Sequence, residues 1–193
     1  MKKYTLTNES IIVNGKQLFR IKALRDFGDV VTGELGGFVE KEDNLSHEGN
    51  CWIFDNAKCY DNGKVLGNAF LFDQSTVFDN AIVTDDVYLF DNTKAYGNAK
   101  LIVAADVYND TEIFGNAVVG EGATITENGC IRTSEDYQVV TDGDTFISFF
   151  RRHDGSIGMT DSISCENISL SDYVEAIRNC FANEINESEE DED

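Results

Sequence analysis

Two histidines are the first residues to consider for chemistry, because an imidazole can act as a general base near neutral pH. His47 and His153 lie far apart in the chain of 193 residues. His47 alone could serve as a base, although a structural role near one end of the fold is the plainer interpretation. Arg151, Arg152 and His153 form a basic cluster. This cluster is either solvated charge at a strand end or a contact for an anion or an acidic partner.

The cysteines and the paired carboxylates give weaker signals. An odd number of thiols without a CxxC motif or a cluster with histidine indicates reduced thiols in a cytosolic protein, not a zinc site. They are Cys51, Cys59, Cys130, Cys165 and Cys180. Asp85-Asp86 falls at a turn, where turn chemistry alone explains two acidic residues. We therefore expect no catalytic residue, no cofactor and no metal site.

A six-residue repeat from Ile53 to Cys130 is the main structural pattern of the chain. It runs through thirteen units without an insertion. The first position of each unit is apolar and the fifth is small or β-branched, whereas the third and fourth favour Asp or Gly followed by Asn. Strand alternation places the first and fifth positions on one inward face, and Asp-Asn or Gly-Asn turns the chain at a corner. Such coils are stable only when several of them stack.

The [Ile/Leu/Val]-x-x-x-[Ala/Ser/Thr/Val]-x pattern resembles the hexapeptide-repeat family of left-handed parallel β-helices. In that family three units make one triangular coil, so the resemblance implies a little over four coils. The aromatic second position and the Asn at the fourth, with Leu24-Arg25-Asp26-Phe27-Gly28-Asp29 and Gly36-Gly37-Phe38 ahead of the repeats, resemble uncharacterised hexapeptide proteins of phages and prophages. Many members of the larger family are acyltransferases that use a histidine base in a groove between coils of neighbouring subunits. Neither His47 nor His153 lies in the regular coils.

The fold class that we predict is all-β: a left-handed parallel β-helix with an N-terminal β cap and a small C-terminal ββα unit. Residues 1–50 are predicted to form a β-hairpin cap, 51–132 the β-helix, 133–183 the ββα unit and 184–193 a disordered acidic tail. The strands of the ββα unit are expected at 145–150 and 156–162, followed by a helix at 170–183. The apolar stripe of that helix consists of Leu170, Val174, Ile177 and Phe181.

Outward positions of a three-unit coil stack every eighteen residues, which gathers large aromatic residues on one side. We call this side the aromatic flank; it comprises Trp52, Phe54, Phe70, Phe72, Tyr88, Phe90 and Tyr108. So many clustered aromatic side chains exceed the roughly 400 Å² of apolar patch that a soluble monomer leaves bare. We expect the flank to be covered, with a two-fold homodimer as the first expectation, the predicted helix 170–183 as the next, and a foreign protein as another.

The net charge of −21 indicates which partners the protein can have. A third of it lies in the acidic tail, and the remaining acidity argues against direct nucleic-acid binding, since phosphates attract Lys and Arg. Two acidic columns are predicted at the corners, one of Asp55, Asp73 and Asp91 and one of Asp61 and Asp79. They either suit the turn or imitate a phosphate backbone for a basic protein. The absence of a long apolar run or a signal-like segment predicts a cytoplasmic protein without a membrane partner.

Three functions remain open at this point. The first is a non-enzymatic, acidic protein-binding module, such as a phage-encoded inhibitor or nucleic-acid mimic that acts on a basic bacterial protein in the host cytoplasm. The second is an acyltransferase, which the family resemblance implies. The third is a purely structural, self-assembling protein. The two histidines outside the coils favour the first.

Overall fold

A computed structural model of the chain describes residues 2–126, 128–142 and 145–161. Within these ranges the regular structure is β-strand, except for single 3-10 turns at Glu42–Asn44 and Ser134–Asp136. The helix predicted at 170–183 and the acidic tail at 184–193 lie outside the described residues.

The N-terminal segment begins with an antiparallel hairpin of β1 (Tyr4–Val13) and β2 (Lys16–Ala23). Asn14 and Gly15 make its tight turn in the left-handed backbone region, as an Asn-Gly pair favours. Strand β3 (Leu35–Val39) pairs antiparallel with β2 on one side and parallel with the first coil on the other. The parallel ladder therefore begins before residue 51, and the hairpin extends one sheet of the β-helix.

The coils consist of short parallel strands that stack into three sheets. The sheet that carries the aromatic flank contains β4 (Trp52–Ile53), β7 (Phe70–Leu71), β10 (Asp86–Leu89), β13 (Ala104–Val107) and β16 (Ala123–Ile125). The sheet extended by the hairpin contains β5 (Lys58–Cys59), β8 (Thr76–Val77), β11 (Lys94–Ala95), β14 (Glu112–Ile113) and β17 (Cys130–Ile131). The third contains β6 (Lys64–Val65), β9 (Ile82–Val83), β12 (Lys100–Leu101) and β15 (Val118–Val119).

The predicted parallel β-helix is confirmed, and its left-handed hexapeptide form fits this solenoid of about five turns. Every first and every fifth position of the thirteen repeat units is buried. Equivalent residues pair across coils in the predicted register, as in Leu71 with Leu89 and Lys94 with Glu112. Inward side chains of adjacent coils therefore form continuous columns, which are apolar except where Ser75, Thr93 and Thr111 stack, and the burial of their apolar surface stabilises the stack.

A corner follows each strand of the repeats. In the described units, the third residue of the six-residue unit lies in this corner and has a left-handed backbone conformation. Six Asp residues occupy this position at φ 49–59°, and Gly67, Gly97 and Gly115 occupy it at 62°, 68° and 66°. Asn109 occupies it at 60°. Asp, Asn and Gly tolerate this conformation better than other residues. Val103 at φ 67° and Glu121 at φ 59° are the exceptions, and the β-branched side chain of Val103 is strained there.

A three-stranded antiparallel sheet closes the C-terminal end of the coils. It consists of β18 (Tyr137–Asp142), β19 (Thr145–Arg151) and β20 (Ile157–Asp161). Phe150 is buried in the same core as the coils, which seals the apolar interior at this end. Strands β19 and β20 correspond to the two predicted strands. Strand β18 was not predicted, because Tyr137-Gln-Val-Val-Thr-Asp142 has no clear alternation.

Candidate functional site

The aromatic flank is built as two columns that follow from the eighteen-residue spacing of the coils. Phe54, Phe72, Phe90 and Tyr108 stack face to face, with ring centroids 4.8, 4.9 and 4.6 Å apart and planes within 5° of parallel. These separations match the roughly 4.8 Å distance between hydrogen-bonded strands. All four rings are partly exposed. The flank is therefore a flat aromatic surface, as the repeat register predicts.

The other column of the flank consists of Trp52, Phe70 and Tyr88, and its first residue differs from the prediction. Trp52 is fully buried, because the rings of Tyr4 and Phe27 pack edge-on against it at centroid distances of 6.2 and 5.4 Å. The chain's own N-terminal segment covers this residue, so its assignment to an intermolecular surface was wrong. Phe70 and Tyr88 remain partly exposed and pack as tilted rings 5.6 Å apart.

A second aromatic column lies on the neighbouring sheet and consists of Tyr60, Phe78, Tyr96 and Phe114. Its rings are 5.2, 5.0 and 5.0 Å apart. Residues of the hairpin, among them Leu18, pack over Tyr60 and Phe78. This column is thus covered from within the chain at its upper end, which leaves the aromatic flank as the larger unshielded surface among the described residues.

The lower end of the second column carries a small polar network. Glu112 accepts hydrogen bonds from Lys94 Nζ (2.7 Å) and from the hydroxyl of Tyr96 (3.0 Å). Burial would raise the pKa of the Glu112 carboxyl, but these hydrogen bonds outweigh it and hold the pKa below its usual range. Burial and the neighbouring carboxylate raise the pKa of Tyr96 to about 12. Lys94, Tyr96 and Glu112 therefore satisfy one another's hydrogen-bonding groups, which favours a structural role.

The acidic columns have a role in connecting the coils. The Oδ2 atom of Asp55 accepts a hydrogen bond from the N–H of Asp73, Asp73 accepts one from Asp91, and Asp91 accepts one from Asn109. Asp79 accepts in the same way from Gly97, whereas Asp61 pairs with Lys16. The carboxylates of Asp55, Asp73, Asp79 and Asp91 therefore each satisfy a backbone donor of the next coil. Turn formation accounts for aspartate at these positions, and phosphate mimicry stays a prediction.

A cleft of about 550 Å³ lies where the last corner of the coils meets the C-terminal sheet. Asn109, Asp110, Asn128 and Arg152 line it. The backbone N–H of His153 donates to the carbonyl of Asn128 (3.1 Å), which fixes the turn after β19 against the rim of the cleft. The cleft contains a guanidinium, a carboxylate and two amides, and such a set can bind a polar substrate. His153 follows Arg152 directly in the chain, and its side chain is exposed.

The basic cluster predicted at 151–153 is divided between two roles. Arg151 Nε lies 3.1 Å from Asp136 Oδ1, so it ties β19 to the 3-10 turn before β18. Arg152 donates from Nη1 to the carbonyl of Ile157 (3.3 Å) while it lines the cleft. Of the three residues, Arg152 is the one that lines this cleft.

His47 lies at the opposite end of the molecule, inside the N-terminal segment. Its Nδ1 accepts a hydrogen bond from the backbone N–H of Lys3 (3.2 Å), and its ring packs on Tyr4 with centroids 4.5 Å apart. Its Nε2 is buried, and burial holds the pKa of the imidazole below its ordinary value. These contacts favour the structural interpretation of His47 over a role as a base.

Next to His47 lies a buried lysine that the sequence did not point to. Lys3 is completely inaccessible, and its Nζ donates to the carbonyl of Cys51 (2.8 Å) and approaches its Sγ (3.3 Å). Burial lowers the pKa of Lys3 and raises that of Cys51. Lysines are rarely buried, so no sequence pattern could have identified this one. The contact anchors the start of the chain to the first coil.

The described residues offer little for a metal or a membrane. They contain no group of three His, Cys, Asp or Glu side chains arranged to hold a metal ion. In the same ranges, no helix is both long and apolar enough to cross a bilayer. Cys51, Cys59 and Cys130 are unpaired thiols, the first two of them buried.

Comparison with known proteins gives one informative similarity. The chain is 35% identical over 74 residues to a protein of Escherichia coli (strain K12) named "Uncharacterized acetyltransferase YdcK". The match covers 34% of this chain and 23% of that protein, so the chain spans about a quarter of its relative's length. No protein-family model matches. The similarity does not address the predicted phage and prophage type. Repeat pattern, solenoid and similarity together describe a hexapeptide-repeat β-helix protein.

Proposed function

We propose that this β-helix protein transfers an acyl group, such as acetyl, from a thioester donor to a hydroxyl or an amine. The observation that carries the proposal is the 35% identity over 74 residues to a protein named as an acetyltransferase. This reverses the order of the two functional hypotheses drawn from sequence, because the acyltransferase alternative now has more support than the non-enzymatic binding module.

The cleft at the C-terminal end is the best place among the described residues for this reaction. In this proposal His153 takes the proton of the acceptor, and the acceptor attacks the thioester carbonyl. The carbon–sulfur bond then breaks, and the departing thiolate receives the proton. Arg152 and the amides of Asn109 and Asn128 would hold polar groups of the substrates. The site differs from the expected groove between coils, since its histidine comes from the closing sheet.

The test is acceptor-dependent release of free thiol from acetyl-CoA, followed colorimetrically with amine and hydroxyl acceptors. Replacing a general base lowers the rate by about 10²–10⁴-fold, so His153→Gln should be slow. His47→Gln is the matched control, because His47 lies at the other end of the fold and should leave the rate unchanged. Equal rates for wild type and His153→Gln would remove His153 from the mechanism. No thiol release with any acceptor would overturn the proposal.

A second candidate is the acidic protein-binding module, favoured by the net charge of −21 and by the exposed corner carboxylates of Asp55, Asp73 and Asp91. Its narrower forms, a phage-encoded inhibitor or a nucleic-acid mimic, have no support beyond this charge. A basic partner captured from a bacterial lysate should dissociate steeply as salt increases. Its binding should also weaken in Asp73→Asn with Asp91→Asn. Salt-insensitive capture would argue against an electrostatic partner.

A further inference from the structure

The aromatic flank is a surface for which the described residues provide no complete cover. The hairpin shields the upper end of the second aromatic column, and Tyr4 and Phe27 bury Trp52. Six rings of the flank remain partly exposed: Phe54, Phe70, Phe72, Tyr88, Phe90 and Tyr108. Because the column of Phe54, Phe72, Phe90 and Tyr108 is flat and continuous over four coils, with Phe70 and Tyr88 beside it, the flank suits an elongated apolar partner that lies along the axis of the solenoid.

The chain leaves the described part of the structure at the foot of this flank. Thr124 in β16 and Thr126 directly after it continue the two columns on the last coil. The hydroxyl of Thr126 lies 2.9 Å from the hydroxyl of Thr160 in β20, the last described strand. The backbone N–H of Thr124 donates to Ser148 Oγ in the strand beside it (2.8 Å). Residue 161 therefore ends beside the flank and not on another side of the solenoid.

We propose that the chain's own C-terminal segment, residues 162–193, covers the aromatic flank through the apolar stripe predicted at 170–183. The stripe residues Leu170, Val174, Ile177 and Phe181 are spaced to share one side of a helix. This inference goes beyond acyl transfer and does not depend on it, because it concerns a surface apart from the cleft. In this proposal the flank is covered by the same chain, whereas the sequence analysis favoured a second copy of the protein.

The dimensions of the segment and the flank agree. Four coil steps separate Thr126 from Phe54, which corresponds to about 19 Å at the strand spacing. A helix over residues 170–183 would be about 21 Å long. Residues 162–169 would reach up to about 26 Å when extended, so the stripe can be placed along the flank in either direction.

Trypsin gives a direct test, because Arg178 is the only Lys or Arg after residue 161. In the full-length protein we expect slow cleavage after Arg178. Phe72→Glu combined with Phe90→Glu should accelerate that cleavage at least tenfold and leave the coils folded by circular dichroism. Ile177→Asp combined with Phe181→Asp should do the same and should also increase binding of an apolar dye to the flank. Thr84→Glu combined with Ile102→Glu is the matched control on the third sheet and should change nothing.

Light scattering and dilution distinguish intramolecular cover of the flank from a homodimer and from a bare flank. Covering by the chain's own segment predicts a monomer whose protection at Arg178 does not change on dilution. Protection that falls on dilution, together with a dimer mass lost in Phe72→Glu with Phe90→Glu, would replace the proposal with the homodimer. Rapid cleavage of the wild-type chain at Arg178 together with strong dye binding would also overturn it, since the flank would then be bare.

Discussion

Replacing Asp91 measures what a corner aspartate contributes to the β-helix. Asp91 has φ 55°, and its Oδ2 accepts a hydrogen bond from the N–H of Asn109 at 2.9 Å. Alanine in the left-handed region costs roughly 1–2 kcal/mol. Loss of the hydrogen bond costs about 0.5–1.5 kcal/mol. Asp91→Ala should therefore reduce the free energy of unfolding by roughly 1.5–3.5 kcal/mol, the sum of these two terms.

Two further variants at the same position separate these contributions. Asp91→Asn keeps an acceptor oxygen and a residue that tolerates the corner, so it should stay within about 0.5 kcal/mol of wild type. It also removes one negative charge from a stack of aspartates. The lower repulsion should increase the free energy of unfolding most at low salt. Asp91→Gly restores backbone freedom but loses the acceptor, so it should fall between the other two.

Urea unfolding and thermal melting followed by circular dichroism are suitable assays. For a chain of this size a loss of 1 kcal/mol lowers the melting temperature by about 2–4 °C, so Asp91→Ala should melt roughly 3–14 °C below wild type. Equal stabilities of Asp91→Ala and Asp91→Asn would refute the corner hydrogen-bond ladder. They would also reopen a purely functional explanation of the acidic columns.

Three other predictions follow from the same structure. Val103→Asn should raise the melting temperature, because it relieves about 1–2 kcal/mol of left-handed strain; a lower melting temperature would show that Val103 packs favourably. Ala81→Leu and Ala99→Leu each add volume at a fully buried position, and each should cost about 1–3 kcal/mol in urea unfolding; unchanged stability in both would contradict the inward register. The pKa of His47 is lowered by burial, so the unfolded chain binds its proton more readily. Stability should therefore be full above the unfolded pKa of about 6.5 and fall as the pH drops from there towards the lowered folded pKa. His47→Gln should reduce this loss in melts at successive pH values.

The sequence predicted the β-helix well because each repeat position has one physical requirement. An inward first position must be apolar, the fifth must be small or β-branched, and a corner must tolerate positive φ, so the described units all have the same geometry. The closing structures carry no such repetition. Strand β18 alternates poorly, and the parallel ladder begins at β3 because two adjacent glycines, Gly36 and Gly37, let that strand approach the backbone of the first coil.

The candidate site was much harder to predict than the fold. The aromatic flank follows from outward positions eighteen residues apart, but the burial of Trp52 depends on Tyr4 and Phe27 from a segment without periodicity. The cleft joins Asn109 and Asn128 of the coils to Arg152 of the closing sheet. Only the docking of that sheet brings them together. Short-range patterns could mark His153 as an anion contact, but they could not predict that its backbone N–H donates to the carbonyl of Asn128.

Calorimetric titration of the full chain with acetyl-CoA tests most directly whether the protein binds the acyl donor that the proposed function requires. Substrates of enzymes commonly saturate between about 1 μM and 1 mM, and we predict saturable binding in this range. His47→Gln should bind like wild type, whereas Arg152→Ala should bind more weakly because Arg152 lines the cleft. Binding that is unaffected by Arg152→Ala would place the donor elsewhere on the molecule. The absence of any saturable heat up to millimolar acetyl-CoA would contradict the proposed function.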